Sequence, residues 1–121
     1  GIAFQIADDL LDYQGDSKAT GKNVGDDFRE RKLTLPVIKA VAQATADERI
    51  FWERTIEKGH QQDGDLEHAL GLMNKYQTLE ATRQDALGWA NKAKASLEVL
   101  PDHEIRTLLR DLADYVVSRL N

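Results

Sequence analysis

Apolar residues in this chain recur every third or fourth position, and no stretch alternates with the period of two that a half-buried strand needs. That period constrains the fold more than any other feature: the chain must be all-α, a helical bundle of five or six helices. The first helix spans Gly1 to about Tyr13 and stops near Gly15. "TLPVIKAVAQA" restarts a helix with Thr34 as N-cap and Pro36 in the first turn. "TADE", Thr45 to Glu48, reads as a capping box for a helix ending near Gly59. Asp65 is placed to cap "LEHALGLMNKY", and Thr78 to cap a long helix through Glu98. After Pro101, "HEIRTLLRDLADYVVSRL" forms a last amphipathic helix with Ile105, Leu108, Leu109, Leu112, Val116 and Leu120 expected inward.

The 121 residues are enough for one domain, with 31% charged residues and a net charge of −5. That balance excludes nucleic acid, whose binding needs a basic footprint. Residues 1–30 hold seven acidic and three basic side chains, so most of the net charge lies in the first quarter. With no cysteine, disulfides and thiolate metal sites are excluded, and a reducing, cytoplasmic setting is the expectation. No apolar run is long enough to span a membrane. The chain opens "GIAFQ", inside a helical pattern and without a cap, which suggests part of a longer protein.

"AFQIADDLLDYQGD" poses the sharpest chemical question. It sets Asp8, Asp9 and Asp12 within five residues of a helix, although Asp is a poor helix former and like charges at i,i+4 repel. At about 100° per residue, Gly1, Gln5, Asp8, Asp9 and Asp12 share one stripe. Ile2, Ala3, Phe4, Ile6, Ala7, Leu10, Leu11 and Tyr13 fill the rest of the circumference. Such a helix is expected to be buried on most sides, its polar stripe facing a cavity. The competing explanation is a solvated acidic face. Converging carboxylates stay ionised only if cations neutralise them. Oxygen ligands alone suit Mg²⁺ or Ca²⁺, and Mg²⁺ commonly takes one or two carboxylates together with waters and substrate phosphates.

"GDSKATGKNVGDDFRERKLT" reads as a long polar loop, a length that usually marks function or disorder. Its glycines permit close backbone approach, and Lys22 and Lys32 are point charges suited to phosphate. A basic loop directly after a carboxylate stripe fits a polyanion bridged by metal. The GxxxxGK[ST] spacing of a P-loop is absent.

"GIAFQIADDLLDYQGD" followed by "TGKNVGDDFRERKLTLPVI" resembles the second aspartate-rich region of the trans-isoprenyl diphosphate synthases, specifically the long-chain octaprenyl and decaprenyl subgroup. The resemblance implies the C-terminal part of the isoprenoid synthase fold. Residues 1–14 would be the second Asp-rich helix, 15–33 a diphosphate-binding loop and 34–121 the remaining helices. It implies Mg²⁺ held by Asp8, Asp9 and Asp12, with Asp8 the direct ligand. Lys22 and Lys32 would contact the allylic diphosphate, Asp27 would support the metal site, Gln5 would line the same face, and Phe4 would lie near the reacting carbons. The implied chemistry is ionisation of an allylic diphosphate, attack by the double bond of isopentenyl diphosphate, then proton loss. The implied product is a long-chain polyprenyl diphosphate for quinone side chains, made by a homodimer.

The departures matter as well. The earlier DDxxD region of such enzymes and their upstream isopentenyl diphosphate site are not in this sequence, so the chain alone is expected to be inactive. Arg31 stands where the family usually has glycine in "EGK", which is expected to alter the loop there. A terpene cyclase-like lyase is disfavoured because "DDLLD" does not match its asymmetric second motif. A non-catalytic subunit of a heteromeric synthase has no need of an intact DDxxD with Lys22 and Lys32. His60, His68 and His103 share no ligand spacing, and Trp52, Trp89 and Tyr76 read as core or interface residues.

Overall fold

The computed structural model describes residues 2–14, 24–99 and 104–120. Among them are seven α-helices and no strand: α1 (Ile2–Gln14), α2 (Asp26–Arg29), α3 (Leu35–Ala42), α4 (Ala46–Trp52), α5 (Asp65–Lys75), α6 (Thr78–Leu97) and α7 (Glu104–Leu120). A π-turn, Glu53–Glu57, continues α4. The chain divides into two compact units, one of residues 9–82 and the other of residues 1–8 with 83–121.

In the unit of residues 9–82 the core gathers Tyr13, Phe28, Val37, Ala40, Phe51, Trp52, Ala69, Leu72 and Met73. Phe51 meets Trp52 edge-on at 5.1 Å between ring centroids, and Phe28 meets it at 6.5 Å. Burying each large apolar side chain contributes about 1.5–3 kcal/mol. Phe28 corrects the sequence expectation of an unbroken polar loop over 15–33, because it is fully buried and α2 forms around it. Lys22 and the rest of 15–23 lie outside the described residues.

The helix starts follow local chemistry. Thr34 sits at the N-cap of α3 with extended backbone, and Pro36 occupies the first turn, where its missing N–H costs nothing. The capping box of α4 is complete: Glu48 N–H donates to Thr45 Oγ1 at 3.3 Å and Thr45 N–H to Glu48 Oε1 at 2.9 Å. Asp65 does not cap α5. Gly64 holds that position at φ +88°, and Asp65 turns back to a bidentate pair with Arg54 at 2.8 and 2.9 Å. Thr78 is the first residue of α6 rather than its cap.

In the other unit, Ala86, Ala90, Ala113, Val116 and Leu120 are buried. On α7 the buried stripe is narrower than its apolar face. Ile105, Leu108, Leu109 and Leu112 remain 43–66% exposed, so of the six residues expected inward only Val116 and Leu120 are buried. The described helices cover only one flank of α7.

Candidate active site

Helix α1 grades from exposed to buried along its polar stripe. Gln5 and Asp8 are exposed, Asp9 is half-buried and Asp12 is buried. The expectation of a helix buried on most sides is only half met, since Ile2 and Phe4 are 55% and 47% exposed whereas Ile6, Ala7, Leu10 and Tyr13 are buried. Phe4 lines an apolar cavity of about 230 Å³ together with Ala90, Leu97, Leu109 and Val116.

Asp12 joins the helix to the segment after the undescribed stretch. The Asp27 N–H donates to Asp12 Oδ2 at 3.1 Å, and the Gly25 N–H donates to the Asp12 carbonyl at 3.0 Å. Asp27 is buried in turn, and its carboxylate lies 3.5 Å from the Lys32 ammonium. Lys32 also meets Glu30 at 2.9 Å. Glu30 first, then Asp27, raises the Lys32 pKa above its ordinary value. Burial, reinforced by Asp12 and Asp27, raises that of Tyr13 well above the usual phenol range. An acidic helix and a basic side chain are thus linked through one buried carboxylate.

Backbone geometry explains how Lys32 comes to face Asp27. Helix α2 ends with Arg31 N–H donating to the Phe28 carbonyl at 3.0 Å and Lys32 N–H to the Asp27 carbonyl at 2.8 Å. That pair of bonds is a Schellman motif, and Arg31 occupies its left-handed position at φ +62°. Glycine adopts this conformation freely, whereas another residue is disfavoured there by about 1 kcal/mol. The expected change of conformation at Arg31 therefore reads differently: the backbone takes the shape that suits glycine, and the new element is the side chain. The Arg31 Nε donates to the Ile56 carbonyl at 2.9 Å and a terminal nitrogen donates to the Glu57 carbonyl. Gln61 Nε2 adds bonds to the carbonyls of Phe28 at 2.8 Å and Thr55 at 3.0 Å. Residue pattern flagged Arg31 as a departure, but nothing in the sequence pointed to Gln61.

Among the described residues no three His, Cys, Asp or Glu side chains converge to hold a metal ion. The donor set still fits a hard cation in part. Asp8 and Asp9 offer only oxygen, and Mg²⁺ needs no more than one or two carboxylates where waters and phosphates complete its shell.

Comparison with known proteins sets this arrangement in its family. The polyprenyl synthetase family model matches residues 1–73. The chain belongs to the polyprenyl synthetase family. Octaprenyl diphosphate synthase of Escherichia coli is 45% identical over 119 residues, covering 98% of this chain and 36% of that protein. The crystal structure of a decaprenyl diphosphate synthase from Rhodobacter capsulatus is 67% identical with a TM-score of 0.88, covering 100% of this chain and 37% of that one. A polyprenyl synthase from Caulobacter crescentus, complexed with calcium and isoprenyl diphosphate, is 45% identical with a TM-score of 0.85, covering 100% of this chain and 37% of that one. The chain thus spans little more than a third of the length of these synthases, and its all-α fold is theirs.

Proposed function

We propose that this chain supplies the second aspartate-rich half-site of a long-chain trans-prenyl diphosphate synthase. The full-length enzyme elongates an allylic diphosphate with isopentenyl diphosphate, requires Mg²⁺, works as a homodimer in the cytoplasm and makes chains for quinones. The chain alone is inactive, because one carboxylate cluster is only part of the clamp such a reaction needs.

One observation carries this reading: the relay from buried Asp12 through buried Asp27 to the exposed ammonium of Lys32, which ties the acidic stripe to a cation at the surface. Asp8 and Asp9 would hold the metal, with Asp12 anchoring the loop at the same stripe. Mg²⁺, when bound, offsets the charge that develops on the departing diphosphate. Lys32, now shared between Asp27 and Glu30, would pair with the diphosphate, and Lys22 would do the same from 15–23. Asp27 orients Lys32 without leaving its buried position. Gln5 and Phe4 would face the allylic substrate. No described helix is long and apolar enough to cross a membrane, in keeping with the proposed location.

The test is an elongation assay on the full-length enzyme with labelled isopentenyl diphosphate, an allylic starter and Mg²⁺. Long-chain product is expected. Asp8→Ala should lower kcat far more than it raises KM, because the metal acts on charge formed in the transition state. Cyclised product, or activity that survives chelation of Mg²⁺, would overturn the assignment.

A further inference from the structure

The π-turn after α4 leaves carbonyls at its C-terminal end that no helical N–H can reach. Three of them, those of Thr55, Ile56 and Glu57, accept from Gln61 and Arg31 instead. The negative end of a helix favours a cation, and a planar fork can serve two carbonyls at once. Gly59 makes room for that fork: a Cβ added there would lie 2.9 Å from the guanidinium carbon. Gly59 is itself left-handed, at φ +72°. Arg31 therefore sits in a fitted seat, and the same residue terminates α2 immediately before Lys32.

We propose that Arg31 is a positioning residue, whose guanidinium locks the end of α2 onto the π-turn and so holds Lys32 in place for a diphosphate-bearing ligand. The proposal rests on the functional reading above for the identity of that ligand. The geometry has two consequences. Arg31→Gly keeps the backbone conformation and removes only the lock. Arg31→Lys keeps the charge and loses the two-carbonyl fork, since an ammonium is a point donor. Gly59→Ala attacks the same lock from its other side while leaving Arg31 intact.

The experiment compares these three variants with wild type in the full-length enzyme. It reads amide exchange over residues 24–33, affinity for inorganic pyrophosphate with Mg²⁺, and the separate kcat and KM for the allylic diphosphate. Arg31→Gly and Gly59→Ala are expected to speed exchange at Arg31 and Lys32 and to raise KM and the pyrophosphate Kd about tenfold, with a smaller change in kcat. Arg31→Lys should recover part of the loss. Faster exchange with unchanged KM and unchanged pyrophosphate affinity would make Arg31 a purely structural residue and overturn the proposal, as would unchanged exchange. If wild type elongates nothing, yet the variants still lose exchange protection and pyrophosphate affinity, the functional reading fails and the positioning role stands.

Discussion

Asp12 offers a test that separates architecture from chemistry, because it can be altered in two ways. Asp12→Ala removes the acceptor of the Asp27 N–H, a contact of 3.1 Å in a buried place. A buried donor left without its partner costs about 1–3 kcal/mol. That corresponds to roughly five- to 150-fold in the local opening equilibrium. Asp12→Asn keeps a carbonyl oxygen of nearly the same shape and removes only the charge, so the bond to Asp27 survives. Amide exchange of Asp27, followed by mass spectrometry in the full-length enzyme, reads this directly. Asp12→Ala should accelerate exchange within that range, and Asp12→Asn by less than about fivefold. Magnesium-dependent binding of pyrophosphate should fall in both variants, because both discharge the stripe. Unchanged protection in Asp12→Ala would refute the argument that Asp12 holds the loop. Equal acceleration in the two variants would show that charge, not the acceptor geometry, maintains the contact.

Three further outcomes follow from the scaffold. Glu48 accepts from Lys75 at 2.8 Å, from the Tyr76 hydroxyl at 2.6 Å and from the Thr45 N–H, and these bonds lower its pKa from 4.5 to about 2. A lowered carboxylate stabilises the fold above its unfolded pKa and ceases to as pH falls through the folded value, so Glu48→Gln should flatten the stability curve between pH 4.5 and about 2, measured by urea unfolding. Arg54→Met should lower stability near neutral pH, by less than the loss of a fully buried pair because Arg54 is partly exposed to solvent, and the loss should shrink once Asp65 is protonated in acid. A loss independent of pH would exclude the charge pair as its origin. Phe28→Ala, at a fully buried position, should cost about 3–5 kcal/mol in the same unfolding measurement, and a cost below about 1 kcal/mol would show that α2 is not part of the core.

Much of the helical frame could be read from local signals. Thr45 and Glu48 announce a capping box three residues apart, and both of its bonds form. Thr34 and Pro36 also mark the start of α3, but through extended backbone at Thr34 and the preset φ of the proline, since the Thr34 side chain makes no capping bond. Asp65 misled because an Asp before an apolar run looks like a cap, and only a distant residue, Arg54, decides that its carboxylate turns away. The face of α7 misled in the same manner. Periodicity states that Ile105, Leu108 and Leu112 share an apolar side, but not whether another helix covers it.

The candidate site divides along the same line. The 100° rotation puts Asp8, Asp9 and Asp12 on one stripe, but it does not disclose that Asp8 stays exposed while Asp12 is buried against Asp27. The relay through Asp27 to Lys32 was visible as residue types but not as contacts, because it depends on α2 ending in a Schellman motif that composition does not disclose. Arg31 shows the limit most clearly. A pattern that favours glycine at one position speaks only about backbone, and the backbone is unchanged in kind at φ +62°. What an arginine adds there depends on carbonyls 25 and 26 residues further along, exposed by a π-turn that no sequence signal marked, and on a glycine at position 59 that leaves the guanidinium its space. A residue that the resemblance marks as a lost glycine is, by its bonds to the Ile56 and Glu57 carbonyls, a tether as well.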